Sequence, residues 1–457
     1  MQERVPLTER EVNRDLLRPV LTTPLWWWAA VGVLGLAASA GLGSALYLAI
    51  NGFGVTGYNR PVMWAFLLVN FVFWVGISHA GIMLSAILRL TQAEWRRPAT
   101  RAAEVLTIFS LMTAAQMPLW HVGRVWRIYW VFPYDFGRGI WPNVRSPLVW
   151  DPSAIFTYLT STILFVYIAM LPDIAVIRDR ATGWRQGFYG VLAMGWRGTP
   201  RQWHLQAVAG ILLSAIILPI FVSVHSIVSW DFGVAIAVEG WHATVFAPYF
   251  VIGAVWSGVA GVITLMALMR WLFKAEKYIR AEHFDGLGKL LSVVGIGWWF
   301  FTLMEIVFSL YSKEAAEVSF RTLQMFTWPY NMLFILFFLT GFVFPVTLFL
   351  SRTVRHNIAA MFWISIFVNI GMWLERFMII VPGLMRKQGL TFTWGSYSPG
   401  ATETILVGST FAMVALGLLI FSKFFPLIPL SDAKEGEVLR HEIQVGKVKV
   451  PAIIREA

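Results

Sequence analysis

The 457-residue sequence contains no cysteine, and only 13% of it is charged. The first absence excludes disulfides, thiolate chemistry and an iron–sulfur cluster ligated by this chain in the usual way. The second excludes a water-soluble fold of this length, because 58% of the residues are hydrophobic and the mean hydropathy is +0.66. Histidine is sparse too: His79, His121, His204, His225, His242, His283, His356 and His441. No apolar run holds two of them, so the paired ligands of a two-haem b cytochrome are missing. There is no P-loop, no G-x-G-x-x-G beside a strand and no H-E-x-x-H, which leaves nucleotide binding and zinc hydrolysis without support. Residues 1–23 carry Glu3, Arg4, Glu9, Arg10, Glu11, Arg14, Asp15 and Arg18 where a signal peptide needs an apolar core.

What the sequence has in abundance is apolar runs of about 20 residues, the length a hydrocarbon core about 30 Å thick demands of a helix. Runs at 24–51, 61–88, 102–123, 153–177, 205–230, 244–269, 290–311, 323–350, 357–383 and 402–422 predict an all-α polytopic membrane protein of ten spans. Many of the 24 Trp stand at the margins of these runs, as amphipathic rings at headgroup level do. Three segments follow: an N-terminal tail (1–23), a membrane domain (24–422) and a C-terminal tail (423–457). With the N-terminus inside, 26 Lys and Arg fall in inner segments and 9 in outer ones. That bias predicts cytoplasmic termini, and it accounts for the net charge of +11 without nucleic acid. Gly76 and Gly81 in the second run are echoed by Gly253 and Gly258 in the sixth. A parallel repeat of two four-helix bundles fits this echo, with the glycines allowing close helix approach.

Ionisable groups inside a bilayer are costly, so each is a functional candidate. Most lie toward the outer ends of the runs: His121, Asp151, His225, Asp231, Glu239, His242, Glu305, Glu375 and Arg376. His79, Glu104 and Asp173 are the inner ones. A neutral imidazole near a carboxylate can take a proton from a hydroxyl and relay it, as quinol oxidation requires. Arg376 cannot lose its proton, so it would hold a carboxylate or an oxygen in place. Other roles are open. Glu375 and Arg376 can neutralise each other, Asp151 before Pro152 can be a helix N-cap, and Asp231, Glu239 and His242 can lie in a wet loop. Glu104 and Asp173 can sit at the wet inner ends of their helices. A chain of such residues also suits an ion or proton transporter, and a structural anchor needs none of them.

WVGISHAGIMLSAILRL (74–90), PLWHVGRVW (118–126), GWHATVFAPYFVIGAVWSG (240–258), NIGMWLERFMIIV (369–381) and YSPG (397–400) resemble the NrfD/PsrC family of integral membrane subunits. Within that family the match is to ActC-type subunits of alternative complex III, with the paralogous ActF type and polysulfide-reductase anchors as neighbours. The resemblance covers roughly 24–422, and Gly400 stands where the family pattern has Thr. It implies a multi-pass subunit of a bacterial cytoplasmic membrane, without a haem, metal or cluster of its own, that oxidises menaquinol or ubiquinol at the outer face. Electrons would pass to an iron–sulfur subunit and then to c-type haem subunits, beside a paralogous membrane subunit. The quinol-binding positions it implies are His121, Asp151, Arg376 and Phe377. His79, Glu104, Asp173, His225, Asp231, Glu305 and Glu375 are the candidates for a proton path.

Overall fold

A computed structural model describes residues 7–238, 240–386, 394–438, 440–445 and 448–453. Among the described residues, ten helices are long and apolar enough to cross a membrane. A chain in hydrocarbon must satisfy its backbone polar groups internally, which is why these runs are helical. In chain order the helices are α1 (Glu9–Leu21), α2 (Leu25–Asn51), α3 (Ala65–Leu90), α4 (Arg97–His121), α5 (Pro147–Arg178), α6 (Trp184–Leu192), α7 (Pro200–Trp230) and α8 (Phe246–Leu272). They continue with α9 (Ala281–Ser312), α10 (Ala315–Phe326), α11 (Tyr330–Phe338), α12 (Phe344–Leu350), α13 (Arg352–His356), α14 (Ile358–Arg386), α15 (Ala401–Phe424) and α16 (Leu430–Glu437). A π-helical stretch, Leu339–Val343, joins α11 to α12 as one span. A small antiparallel hairpin, Arg440–Val445 with Val448–Ile453, follows α16.

Helices α3, α4, α5 and α7 pack as one bundle, and α8, α9, α11–α12 and α14 as a second. They meet along α3, α8 and α14, while α2 and α15 pair outside. The most apolar stretch of α3 is 94% buried and that of α2 only 22%, so α3 is central and α2 faces lipid. Glycine makes the centre possible. A Cβ on Gly81 would lie 2.2 Å from the Ala103 carbonyl oxygen of α4, and one on Gly258 would lie 2.3 Å from Ala80 Cβ of α3. Their echoes do something else: a Cβ on Gly76 or Gly253 would come within 3.5 or 3.4 Å of the Arg376 guanidinium.

All ten expected runs are helices, with four informative differences at their ends. Helix α5 begins at Pro147 with Ser146 as N-cap, so Asp151 lies inside the helix and is not its cap. Helix α4 begins at Arg97, which brings Arg97 and Arg101 into the helix, because both find acidic partners. The eighth span begins at Tyr330, and residues 323–326 belong to the separate α10. Helix α7 begins at Pro200, so it carries both His204 and His225; His204 is exposed in the first turn and His225 is buried 21 positions later.

Helices α1 and α16 lie at one end of the bundle, where Lys434 pairs with Glu9. There α16 docks on basic residues at the start of α4. Arg96 Nη1 is 3.2 Å from Asp432, Arg97 Nη1 is 2.9 Å from Glu435, and Ser431 N donates to Asp173 at 3.1 Å. Burial alone would push the Asp432 carboxyl up, but Arg96, Arg89, Arg97 and Arg101 more than offset this and hold it below the usual carboxylate range. The lowered value makes the docking fully present above an unfolded pKa of about 3.9, and it is lost as pH falls through the folded value. Asp432→Asn is therefore expected to weaken the docking of α16 by about 1.5–3 kcal/mol at neutral pH. Limited proteolysis between 425 and 440 reads this as faster cleavage than in the parent, which itself becomes sensitive only in acid.

Candidate functional site

At the end of the bundle away from the termini, α3 starts on Trp64, whose backbone is left-handed (φ 58°). A bulky residue held there is strained, and such strain collects at functional sites. The Trp64 indole donates to the His121 carbonyl at 2.8 Å, and its ring lies 5.9 Å from the His121 ring. Phe71, two turns into α3, meets the other side of that imidazole edge-on at 5.9 Å. His121 is the last residue of α4, and its Nε2 is buried without a hydrogen-bond partner among the described residues.

Phe66 links this corner to α14. It stands edge-on to Trp373 at 5.1 Å and to Phe377 at 6.2 Å, and it lies 6.4 Å from Tyr397. Trp373 and Phe377, one turn apart, are nearly parallel at 6.0 Å. Trp120 packs in the same cluster, and the indole N–H groups of Trp120 and Trp373 are also buried without acceptors among the described residues. Buried polar groups are normally paired. Three unpaired ring nitrogens among flat aromatic faces are a candidate receptor for a flat ring with polar edges.

Asp151 and Arg376 have partners of their own. The Asp151 carboxyl faces that of Asp231. Asp231 opens a π-helical extension of α7 (Asp231–Ile236) and is buried there, not in a wet loop. Neither Asp231 oxygen, nor Asp151 Oδ1, has a donor among the described residues. Facing carboxyls can pass a proton between their oxygens. Arg376 points into the bundle, because consecutive helical residues diverge by about 100°. Its guanidinium pairs with Glu375 and lies 5.5 Å from the Phe250 ring centre, between Gly76 and Gly253. So of the four positions implied for one ligand, His121 and Phe377 border the aromatic receptor, while Asp151 and Arg376 have partners of their own.

The remaining candidates form two groups in the membrane interior. His79 stacks on Tyr158 at 4.6 Å and meets His225 edge-on at 4.6 Å. These rings are in contact, which leaves no gap for a porphyrin between them. Tyr158 donates to the Ser78 carbonyl at 3.1 Å, and both His225 nitrogens lack partners among the described residues. Toward the second bundle, Tyr249 donates to Glu375, and Arg321 Nη2 is 3.6 Å from Glu305. Arg321 also donates to Gln324 at 3.0 Å, and Gln324 donates to the Met378 carbonyl at 2.6 Å. Beyond them His242 Nε2 is 3.5 Å from Glu317. His242, Glu314 and Glu317 bring three ligand-type atoms within 4.8 Å of one another, a grouping open to a cation. Glu239 lies outside the described residues.

Glu104 and Asp173 are not wet helix ends. Both are buried and share Arg101, at 3.4 and 3.1 Å, and Ser85 donates to Glu104 at 2.6 Å. A cavity of about 230 Å³ beside them is lined by Arg89, Arg96, Arg101, Glu104, Gln206 and Asp432 among others.

Sequence reasoning missed Trp64, Phe66, Trp120, Trp373 and Tyr397. Trp120, Trp373 and Tyr397 fall within the quoted motifs, so their type and place were visible; their convergence was not.

Comparison with known proteins bears on this architecture. Residues 54–387 match the family model described as polysulphide reductase, NrfD. A putative dimethyl sulfoxide reductase membrane subunit of Halobacterium salinarum is 24% identical over 88% of this chain and 91% of its own. A selenate reductase subunit of Mesobacillus selenatarsenatis is 22% identical over 93% and 96%. An Hdr-like menaquinol oxidoreductase integral membrane subunit of Archaeoglobus fulgidus is 21% identical over 88% and 94%.

Proposed function

Because the chain belongs to the NrfD polysulphide reductase family, we propose that it is the quinol-binding membrane subunit of a multi-subunit oxidoreductase of the alternative complex III type. The carrying observation is the aromatic receptor, with the unpaired His121 Nε2 at its edge and the Phe66, Trp373 and Phe377 rings as its walls. A quinol ring is flat, apolar on its faces and a hydroxyl donor at its edges. His121 accepts one hydroxyl proton, and the rings hold the quinol against its edge. Asp151 with Asp231 takes protons onward to the aqueous face. Oxidation of one quinol yields two electrons and two protons. With no cysteine in the chain, the electrons leave to an iron–sulfur subunit and then to c-type haem subunits, beside a paralogous membrane subunit. Menaquinol and ubiquinol both suit the receptor.

The basic bias supports cytoplasmic termini in a bacterial inner membrane, which puts the receptor at the outer face. The contact between His79 and His225, and the links through Glu375, Tyr249, Glu305 and Arg321, support a proton route through the two bundles, with Glu104 and Asp173 at its inner mouth. Sealed right-side-out vesicles carrying the assembled complex test these points together. Menadiol oxidation is expected to release two protons outside per quinol, plus those carried through the bundle. His79→Ala or Glu305→Gln is expected to lower that ratio toward two while electron transfer continues. An unchanged ratio in both variants would remove the route, and no menadiol oxidation by the parent would remove the quinol reading.

A further inference from the structure

The cavity at the α16 end of the bundle holds donors that nothing so far uses. Its volume is about 230 Å³, room for roughly seven waters at about 30 Å³ each. Arg89 from the last turn of α3, Arg96 before α4, and Arg101 and Glu104 of α4 line it, and Asp432 and Glu435 of α16 close one side. The carboxylates of this lining are all matched: Asp432 by Arg96, Glu435 by Arg97, and Glu104 by Ser85 and Arg101. The guanidiniums are not. Arg101 is 1% exposed, and its Nη2 meets Asp173 while its Nε meets Glu104. Its Nη1 is buried without a hydrogen-bond partner among the described residues. Arg89 Nε is buried and unpaired there too, although the Arg89 charge acts on Glu104 and Asp432. The spare capacity of the charged lining is therefore all donor, and it calls for an acceptor.

Neighbouring helices hold Arg89 in this place. Its guanidinium carbon lies 5.8 Å from the centre of the Phe165 ring of α5. On α7 a Cβ at Gly210 would lie 2.7 Å from Arg89 Nη1, so the glycine leaves the cation its room. Ala169 and Pro172 of α5, with Gln206, Ala207 and Ile211 of α7, complete the wall on that side. That side borders lipid: Ile211 lines the cavity and is also 54% exposed, and Leu205, Val208 and Leu212 are exposed beside it. Basic pockets between spans, at the level where the spans end, take lipid headgroups, and a guanidinium fork matches phosphate oxygens. Arg89, Arg96, Arg97 and Arg101 are balanced in this corner by Glu104, Asp173, Asp432 and Glu435. A single negative charge, as on a diester, is therefore easier to hold there than a dianion.

We propose that this cavity is a phosphate site, holding the phosphodiester of a phospholipid from the leaflet that borders this end of the bundle. Arg89 and Arg101 Nη1 donate to its free oxygens, and the acyl chains leave past Ile211 along α7. The assignment is independent of the quinol reading.

The test is native mass spectrometry of the full chain in its complex, stripped of lipid in detergent. It is titrated with dioleoylphosphatidylglycerol, dioleoylglycerol or inorganic phosphate. The parent is expected to hold one phosphatidylglycerol more tightly than any further copy, and neither of the other probes at the same concentration. Arg89→Gln removes the unpaired cation and is expected to weaken that binding about tenfold or more. Gly210→Ala changes no charge, but its methyl pushes Arg89 aside, and a several-fold weakening is expected. Arg201→Gln, at an exposed arginine in the first turn of α7, is expected to bind as the parent does. Equal weakening in Arg201→Gln would mean a diffuse basic surface and overturn the proposal, as would parent-level binding in both Arg89→Gln and Gly210→Ala. Dioleoylglycerol held as tightly as phosphatidylglycerol would show that no phosphate is read, and would overturn it too. Inorganic phosphate that displaces the lipid at equal concentration would keep the phosphate chemistry and overturn the lipid source.

Discussion

His121→Ala is expected to lower menadiol-dependent electron transfer by the assembled complex about 100-fold or more. Assembly and thermal stability should stay near those of the parent. The expectation has two parts. Catalytically, the imidazole Nε2 is buried without a partner among the described residues, so on the proposed function its loss would remove the group that takes the quinol proton. Structurally, the side chain does little for the fold: the Trp64 indole bonds to the His121 backbone carbonyl, which alanine retains. His121→Gln restores an acceptor without a titrating ring. It is expected to recover ligand binding more than turnover, which separates positioning from proton acceptance. Parent-level turnover in His121→Ala would remove the residue from the mechanism.

Arg376→Leu is expected to destabilise the membrane domain by about 3–5 kcal/mol, which for a domain of ordinary marginal stability means little assembled complex. The guanidinium is about 1% exposed and pairs with an equally buried Glu375, while Gly76 and Gly253 leave it just enough room. Removing the cation strands a carboxylate in a dry interior. Glu375→Gln/Arg376→Leu together should recover much of the yield, because both charges then leave, and a double-mutant cycle on thermal unfolding measures the coupling. If Arg376→Leu folds normally and loses only quinol affinity, Arg376 is a ligand-binding residue as the family resemblance implies.

The sequence made the ten spans legible because hydrocarbon demands unbroken apolar runs, and nothing subtler is needed to count them. It made His121 and Asp151 stand out because each is a polar side chain beside apolar neighbours at a span's end. Other features were hidden for specific reasons. Arg97 and Arg101 looked like loop residues because, Glu104 apart, their acidic partners Glu435 and Asp173 are far away in sequence. Asp231 looked solvated because the π-helical turn that buries it against Asp151 has no hydropathy signature. The glycine echo was visible, but Gly76 and Gly253 serve a guanidinium on a third helix, which no spacing rule announces.

The docking of α16 also sets an order of events during synthesis. Arg96 is made 336 residues before Asp432, its partner across the end of the bundle. At the roughly 5–20 residues per second of translation, that interval is about 20–70 s. For all of it, the basic start of α4 is in place with its closing acidic helix still unmade. Until then the guanidinium of Arg96 lacks the carboxylate it meets in the finished fold. A nascent chain stalled before 430 thus presents the start of α4 without the acidic helix that docks on it.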